Sequence, residues 1–220
     1  MLSADYPIQC RCGRLQGTLS RTARVTRLSC YCLDCQSYAH ALGDPGRILD
    51  AHGGTEVVAT LQQYLTFTAG NESLACLSLS PQGILRWYAG CCNTPIANTT
   101  RDPKLSYVGI VHTCLGAPAA RTAAFGPPRA PVNTRHAKGK VATSALNVSN
   151  SIVRVVARVL RARLDGSWRR SPFFRSGSST PVVARRVLSV EERERARNAA
   201  RVWQPEESSQ SGGAVASKPD

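Results

Sequence analysis

Cys30-Tyr31-Cys32-Leu33-Asp34-Cys35 places three thiols within six residues, and the reading of the whole chain turns on this stretch. A single free cysteine is a small apolar side chain and is usually core, but three so close together rarely answer a packing need. Two more groups accompany it, Cys10-Arg11-Cys12-Gly13 upstream and Cys91-Cys92 downstream. Zinc suits such spacing, since it accepts tetrahedral thiolate coordination at about 2.3 Å without redox chemistry. Gly13 lets the backbone curl so that its amides turn toward the sulfurs. Three ligands from one loop leave a fourth position open, whereas four protein ligands close the ion off. The spacing therefore predicts two zinc ions: an open one on Cys30, Cys32 and Cys35, and a closed one on Cys10, Cys12 and Cys92, with Cys91 as a further candidate. Adjacent side chains in extended backbone point to opposite sides, so Cys91 and Cys92 can share an ion only if the chain turns between them; Cys92 is the stronger candidate. Cys76 and Cys114 read as core.

Around these groups the chain is 220 residues long, with nine cysteines and 28 Lys+Arg against 14 Asp+Glu, a net charge of +14. An odd cysteine count and the lack of an apolar core in Met1 to Gln9 argue against a secreted disulfide framework. With no apolar run near the roughly 18 residues that span a bilayer, a soluble, cytoplasmic protein is expected. Charge and sulfur divide along the chain. All nine cysteines fall before residue 115, where residues 1–125 carry a net +3, while residues 126–220 carry +11. The first part reads as short strands at Leu15 to Ser20, Arg24 to Ser29, Thr55 to Thr60, Tyr64 to Thr68, Leu74 to Leu79, Ile84 to Tyr88 and Leu105 to Val111. Ser80-Pro81-Gln82-Gly83 reads as a hairpin turn. No βαβ rhythm is present, so the expected core is antiparallel β. Pro118 to Pro131 reads as a loop or strap. Ser144 to Leu164 changes to helical period, with Val148, Ile152, Val155, Val156 and Val159 expected to dock on the core and Arg154, Arg158 and Arg161 on another face; Asp165-Gly166 ends it. Ser189-Val190-Glu191-Glu192 is a capping box opening a second helix to about Trp203, with Glu191 placed to meet Arg195. The predicted organisation is a metal-bound β domain over residues 1–130, a basic helical extension packing on it over 131–205, and a disordered tail over 206–220.

The elements Cys10-x-Cys12-Gly13, Cys30-x-Cys32-x-x-Cys35 and a cysteine followed by Thr94-Pro95 resemble the glutathione-dependent formaldehyde-activating family, whose fold is a zinc β-tent. The similarity covers residues 8 to 115 and is closest to an uncharacterised branch, through Asp34-Cys35-Gln36, Gly53-Gly54-Thr55, Arg86-Trp87-Tyr88 and Cys91-Cys92-x-Thr94-Pro95. The resemblance implies a mainly β, zinc-bound antiparallel β-tent with a C-terminal helical extension. It implies that Cys30, Cys32 and Cys35 are the ligands of a catalytic zinc, and Cys10, Cys12 and Cys92 those of a structural one. It further implies carbon–sulfur lyase chemistry on a thiol adduct such as S-hydroxymethylglutathione, with a small glutathione-like thiol as partner. The chain departs from the family pattern at Ala89, where a cysteine is usual, at Asn93, where a glycine is usual, and at Tyr31 and Gln36, where many relatives carry His and Arg.

No catalytic residue is assigned. His40 lies five residues after Cys35, and an ordinary pKa of about 6.5 suits proton transfer, yet its Ala39/Ala41/Leu42 surroundings read as packing. His52, His112 and His136 have no motif around them. The extension is arginine-rich, which is compatible with phosphate contacts, but its aromatic residues are limited to Trp168, Phe173, Phe174 and Trp203. Nucleic acid is therefore not the favoured partner, and no membrane association is expected, because the apolar face is Val-rich and lacks an aromatic anchor. The alternative function is a non-catalytic zinc module whose Arg-rich extension binds nucleic acid or a protein partner.

Overall fold

The computed structural model describes residues 5–20, 24–128 and 130–205; the tail expected to be disordered lies outside the described residues. Strands β1 (Tyr6–Gln9) and β2 (Gln16–Leu19) form an opening hairpin. After β3 (Thr26–Cys30) come helix α1 (Leu33–Ala41) and the single turn α2 (Pro45–Ile48). Six strands follow: β4 (Thr55–Leu61), β5 (Leu65–Ala69), β6 (Leu74–Ser78), β7 (Leu85–Ala89), β8 (Thr94–Thr99) and β9 (Tyr107–Val111). The chain ends with α3 (Pro118–Phe125), β10 (Ala130–Val132), the long α4 (Ala145–Leu164), β11 (Arg185–Val187) and α5 (Val190–Val202).

Among the described residues the protein is mainly β, with two sheets. The smaller has the order β1-β2-β5 and the larger β10-β3-β4-β9-β8-β7-β6-β11. Pairing is antiparallel inside both sheets, as the short, turn-separated strands require. Only the two outermost strands run parallel to their neighbours, β10 beside β3 and β11 beside β6, because each is delivered from the C-terminal segment rather than by a hairpin. Ser80 to Gly83 closes the β6–β7 hairpin through the Gly83 amide and the Ser80 carbonyl at 3.0 Å.

The main core lies where the sheets face each other and includes Ile8, Leu15, Leu19, Trp87, Ile96, Ile110 and Leu115. Phe173 and Phe174, from the segment between α4 and β11, are fully part of it; their rings lie 4.8 and 6.4 Å from that of Trp87. Two of the aromatics weighed for base stacking are thus interior, and the segment 131–205 is woven into the β core through them and through β10 and β11. A second cluster under α1 and α2 contains Tyr38, Leu42, Ile48, Leu77 and Leu188, with Trp203 against it. Among the described residues no helix is long and apolar enough to cross a membrane.

Three local expectations are corrected. Pro118 to Phe125 is a helix and not a strap, because Pro118 occupies a first-turn position that lacks an amide partner anyway and the Ala-rich residues after it favour helix. The long helix is capped by Ser144 and ends, as expected, at Asp165 and Gly166, whose φ of 73° is left-handed, but it docks through only part of the expected face, Val155 and Val159. Ser151, Val159 and Ala162 are buried, while Ile152 and Val156 are 52% and 48% exposed. Small side chains let the helix axis approach the sheet, and Arg158 turns inward to donate to Thr26 Oγ1 at 3.3 Å. In α5 the capping box forms, but the Glu191 carboxylate accepts the Ser189 hydroxyl at 2.7 Å and makes no ion pair with Arg195.

Phe173 is 0% exposed and Leu164 88% exposed. Phe173→Ala is expected to lower unfolding free energy in urea by about 3–5 kcal/mol, and Leu164→Ala to change it by less than about 0.5 kcal/mol. Equal effects would show that the C-terminal segment does not share the core.

Candidate metal centres

The first cysteine group is built from two turns about 80 residues apart in sequence. Beyond β1 the chain curls back at Gly13, whose φ of 79° is left-handed and whose amide donates to the Cys10 carbonyl at 2.9 Å. This turn lets the Leu15 amide donate to Cys10 Sγ at 3.3 Å. The second turn joins β7 to β8 through Gly90 to Asn93, with Asn93 at φ 54° and the Cys92 amide bonded to the Ala89 carbonyl at 3.2 Å. The Arg11 amide donates to Thr94 Oγ1 at 3.0 Å and locks one turn to the other. Because the backbone bends there, Cys91 and Cys92 do not diverge.

The sulfurs of Cys10, Cys12, Cys91 and Cys92 all lie within 4.8 Å of one another. Cys12 and Cys91 are 3.3 Å apart, Cys10 and Cys12 3.6 Å, Cys91 and Cys92 3.8 Å, and Cys10 and Cys91 3.9 Å. A tetrahedron of sulfurs about 2.3 Å from a central ion has edges of about 3.8 Å. The measured separations bracket that value, so this group could hold a metal ion with four protein ligands. Cys91, the less favoured neighbour at the sequence level, stands at three of these four spacings.

The second group sits where β3 runs into α1. Cys30 ends the strand, Cys32 caps the helix, and Cys35 lies in its first turn. Cys32 acts as the N-cap through sulfur, accepting the Cys35 amide at 3.4 Å, so the positive end of α1 faces the thiols. Cys30 and Cys32 are 3.5 Å apart, and all three sulfurs lie within 4.8 Å. This is three corners of the same tetrahedron.

Electrostatics at the three-cysteine group favour negative charge on one sulfur, Cys30, while the hydrogen bond with Cys30 pushes Cys35 up. Hydrogen bonds from the Cys32 and Cys35 thiols hold Cys30 far below its ordinary range, and the same bonds push Cys32 up. Asn133 Nδ2 also donates to Cys30 Sγ at 3.5 Å, brought there by the pairing of β10 with β3. Arg86 lies on β7, is 3% exposed, and places Nη1 3.9 Å from Cys35 Sγ. Its other contacts are neutral: Asn98 Oδ1 at 3.4 Å and the Tyr38 ring, with its guanidinium carbon 5.0 Å from the centroid. Among the described residues no carboxylate pairs with it. Burial alone would lower the Arg86 pKa, and the Cys35 sulfur beside it, together with Cys32 and Tyr38, more than reverses this. A buried guanidinium is costly unless an opposite charge compensates it, and here that charge can come only from the sulfurs.

The remaining candidates fall elsewhere. Cys76 and Cys114 are buried in the main core, and Cys114 donates to the Val111 carbonyl at 3.2 Å. His40 packs edge-on against Trp203, with ring centroids 6.4 Å apart, and burial lowers its pKa. His52 and His136 are exposed; His136 offers its carbonyl to Gln36 Nε2 at 2.8 Å. His112 sets Nδ1 3.3 Å from the Glu56 carbonyl. None of the four joins a cysteine group among the described residues. Two residues at the site went unassigned in the sequence. Asn133 is 103 residues from Cys30 and carries no local signal. Arg86 does carry one, since a charge between Leu85 and Trp87 in an apolar strand has to meet a partner inside.

Residues 2–184, which include both cysteine groups, match the model of a family described as a family of unknown function, DUF6151. No curated protein matches the chain.

Protein purified without chelator is expected to carry two metal ions per chain by elemental analysis. Cys12→Ser should remove one and Cys35→Ser the other. Loss of both ions from either single variant, or fewer than one in the parent, would contradict two separate centres.

Proposed function

The chain belongs to the DUF6151 family, and we propose that it is a two-zinc β-tent protein that makes or breaks the carbon–sulfur bond of a small thiol adduct such as S-hydroxymethylglutathione. Cys10, Cys12, Cys91 and Cys92 would hold a closed, structural zinc. Cys30, Cys32 and Cys35 would hold a second with one position left to a ligand. All-sulfur donor sets at these separations suit zinc better than the hard cations, which take oxygen. The observation that carries the reading is the buried, carboxylate-free Arg86 against three converging sulfurs. Three thiolates around a divalent cation leave one negative charge, and one guanidinium balances it. Four thiolates would leave two.

The chain's own groups do the positioning. The Cys35 amide and Asn133 Nδ2 fix the lone pairs of Cys32 and Cys30, and Arg86 sets a positive charge 3.9 Å from Cys35 Sγ, which would stabilise that sulfur as a thiolate ligand. Gln36, 1% exposed, clamps the loop by donating to the Tyr31 carbonyl at 3.0 Å and the His136 carbonyl at 2.8 Å. Tyr31 donates to Asp50 Oδ2 at 3.0 Å, which commits its hydroxyl away from the sulfurs. When bound, zinc at this position supplies a Lewis acid for an oxygen and lowers the pKa of a thiol. Cleavage of the adduct balances without a redox partner: the C–S bond breaks, its electron pair goes to sulfur, the hydroxyl oxygen becomes the aldehyde oxygen, and its proton passes to the thiolate.

The rival, a non-catalytic module binding nucleic acid through the extension, is weakened by the burial of Phe173 and Phe174 at 0% and 4% exposure. Those rings cannot stack on bases in the folded protein.

Zinc-loaded protein given glutathione and formaldehyde should accelerate adduct formation, followed by loss of free thiol, and Cys32→Ser should reduce this at least 100-fold while the closed centre keeps its ion. Zinc-loaded parent protein that gives only the uncatalysed rate would overturn the lyase reading. Arg86→Met should weaken zinc binding at the three-cysteine centre about 10- to 100-fold in a chelator competition, leaving the four-cysteine centre unaffected.

A further inference from the structure

Among the described residues, the face of α4 opposite the docked one is apolar and uncovered. Six of the eleven large apolar side chains that are exposed among the described residues lie on this helix: Leu146, Ile152, Val153, Val156, Leu160 and Leu164, at 48–88% exposure. Leu146, Val153 and Leu160 recur every seven residues, and Val156 and Leu164 fill the alternate three- and four-residue steps. On a helical projection these side chains cover an arc centred opposite Ser151, Val155 and Ala162, which face the sheet. A soluble domain rarely leaves a continuous apolar stripe about 27 Å long in water, because each large side chain buried gains about 1.5–3 kcal/mol.

The edges of the stripe say what would cover it. Arg154 and Arg161 run along one side and Arg163 lies on the other, and α4 has no acidic residue. Among the described residues none of these arginines makes an ion pair, and the nearest acid in sequence, Asp165, is turned to the Ser167 amide at 2.9 Å. We propose that the outer face of α4 docks an amphipathic helix of a partner protein whose apolar seam is flanked by Glu or Asp.

Other occupants fit less well. A second copy would bring the same arginine rows together on chains that each carry +14. The most acidic helix of this chain, α5, is already seated, with Ala196 and Ala200 buried and Glu191 and Glu192 engaged at its cap. A bilayer surface is disfavoured because three of the six exposed side chains are β-branched and α4 has no aromatic residue, whereas the seven-residue spacing of Leu146, Val153 and Leu160 suits a helix–helix seam. This inference does not depend on the metal reading.

The test uses full-length protein and two labelled synthetic helices of about three heptads, both with Leu at the seam, one flanked by Glu and one by Lys. The Glu helix should bind in an anisotropy titration, weaken as salt rises, and exceed the Lys helix by at least tenfold. Val153→Asp combined with Leu160→Asp should abolish binding without changing metal content or thermal unfolding, since both residues are exposed. Four results would each overturn the proposal: no binding of the Glu helix, equal binding of both helices, a parent dimer in sedimentation that the double variant removes, or binding to phosphatidylserine vesicles in place of the peptide.

Discussion

The protein depends on the convergence of cysteine sulfurs, and on where positive charge to compensate them comes from when they ionise. Sulfurs 3.3–3.9 Å apart repel one another once they ionise, so they persist as a cluster only if protons or a cation sit among them. In the four-cysteine group that requirement joins the opening hairpin to the β7–β8 turn, and so ties the small sheet to the large one at a corner. In the three-cysteine group it recruits Arg86 from the middle of the sheet and the N-terminal end of α1. Both sheets and the first helix thus meet at the two cysteine groups, while apolar burial between the sheets supplies the bulk of the folding free energy.

Much of this was legible in the sequence. Short runs rich in β-branched, aromatic and leucine residues, separated by Gly, Pro, Asn and Asp, pointed to the antiparallel core, and the triple cysteine motif pointed to a group that could hold a metal because three thiols so close together rarely answer a packing need. The pairing of Cys10 and Cys12 with residue 92 could be anticipated from ligand number. Other features were hidden for physical reasons. Helix α1 looks weak as a helix because Leu33 to Ala41 is buried on several sides and shows little amphipathic period. Strand β8, Thr94-Pro-Ile-Ala-Asn-Thr99, is buried along its whole length and so shows no alternation either. The docking face of α4 was legible only in part: Val155 and Val159 pack against the sheet as expected, but Ile152 and Val156 face out, and close approach placed Ser151 and Ala162 inside instead.

The C-terminal segment shows how a compositional boundary can mislead. Charge changes abruptly after residue 125, yet the structure does not divide there. β10 continues the large sheet beside Cys30, Phe173 and Phe174 fill the space against Trp87, and β11 completes the opposite edge. Arginine is concentrated where the segment lies on the surface, and apolar residues appear where it dips inside. Net charge describes the outside of this segment and says little about its attachment.

That interweaving sets an order on synthesis. The four-cysteine group has all its sulfurs once residue 92 has left the ribosome, and the three-cysteine group has its own 57 residues earlier. Arg86 arrives between, Asn133 later, and Phe173 last. A nascent chain therefore holds metal-ready thiols long before it can cover Trp87, and the ions, if captured then, would act as scaffolding for a half-built sheet that waits for its final strands.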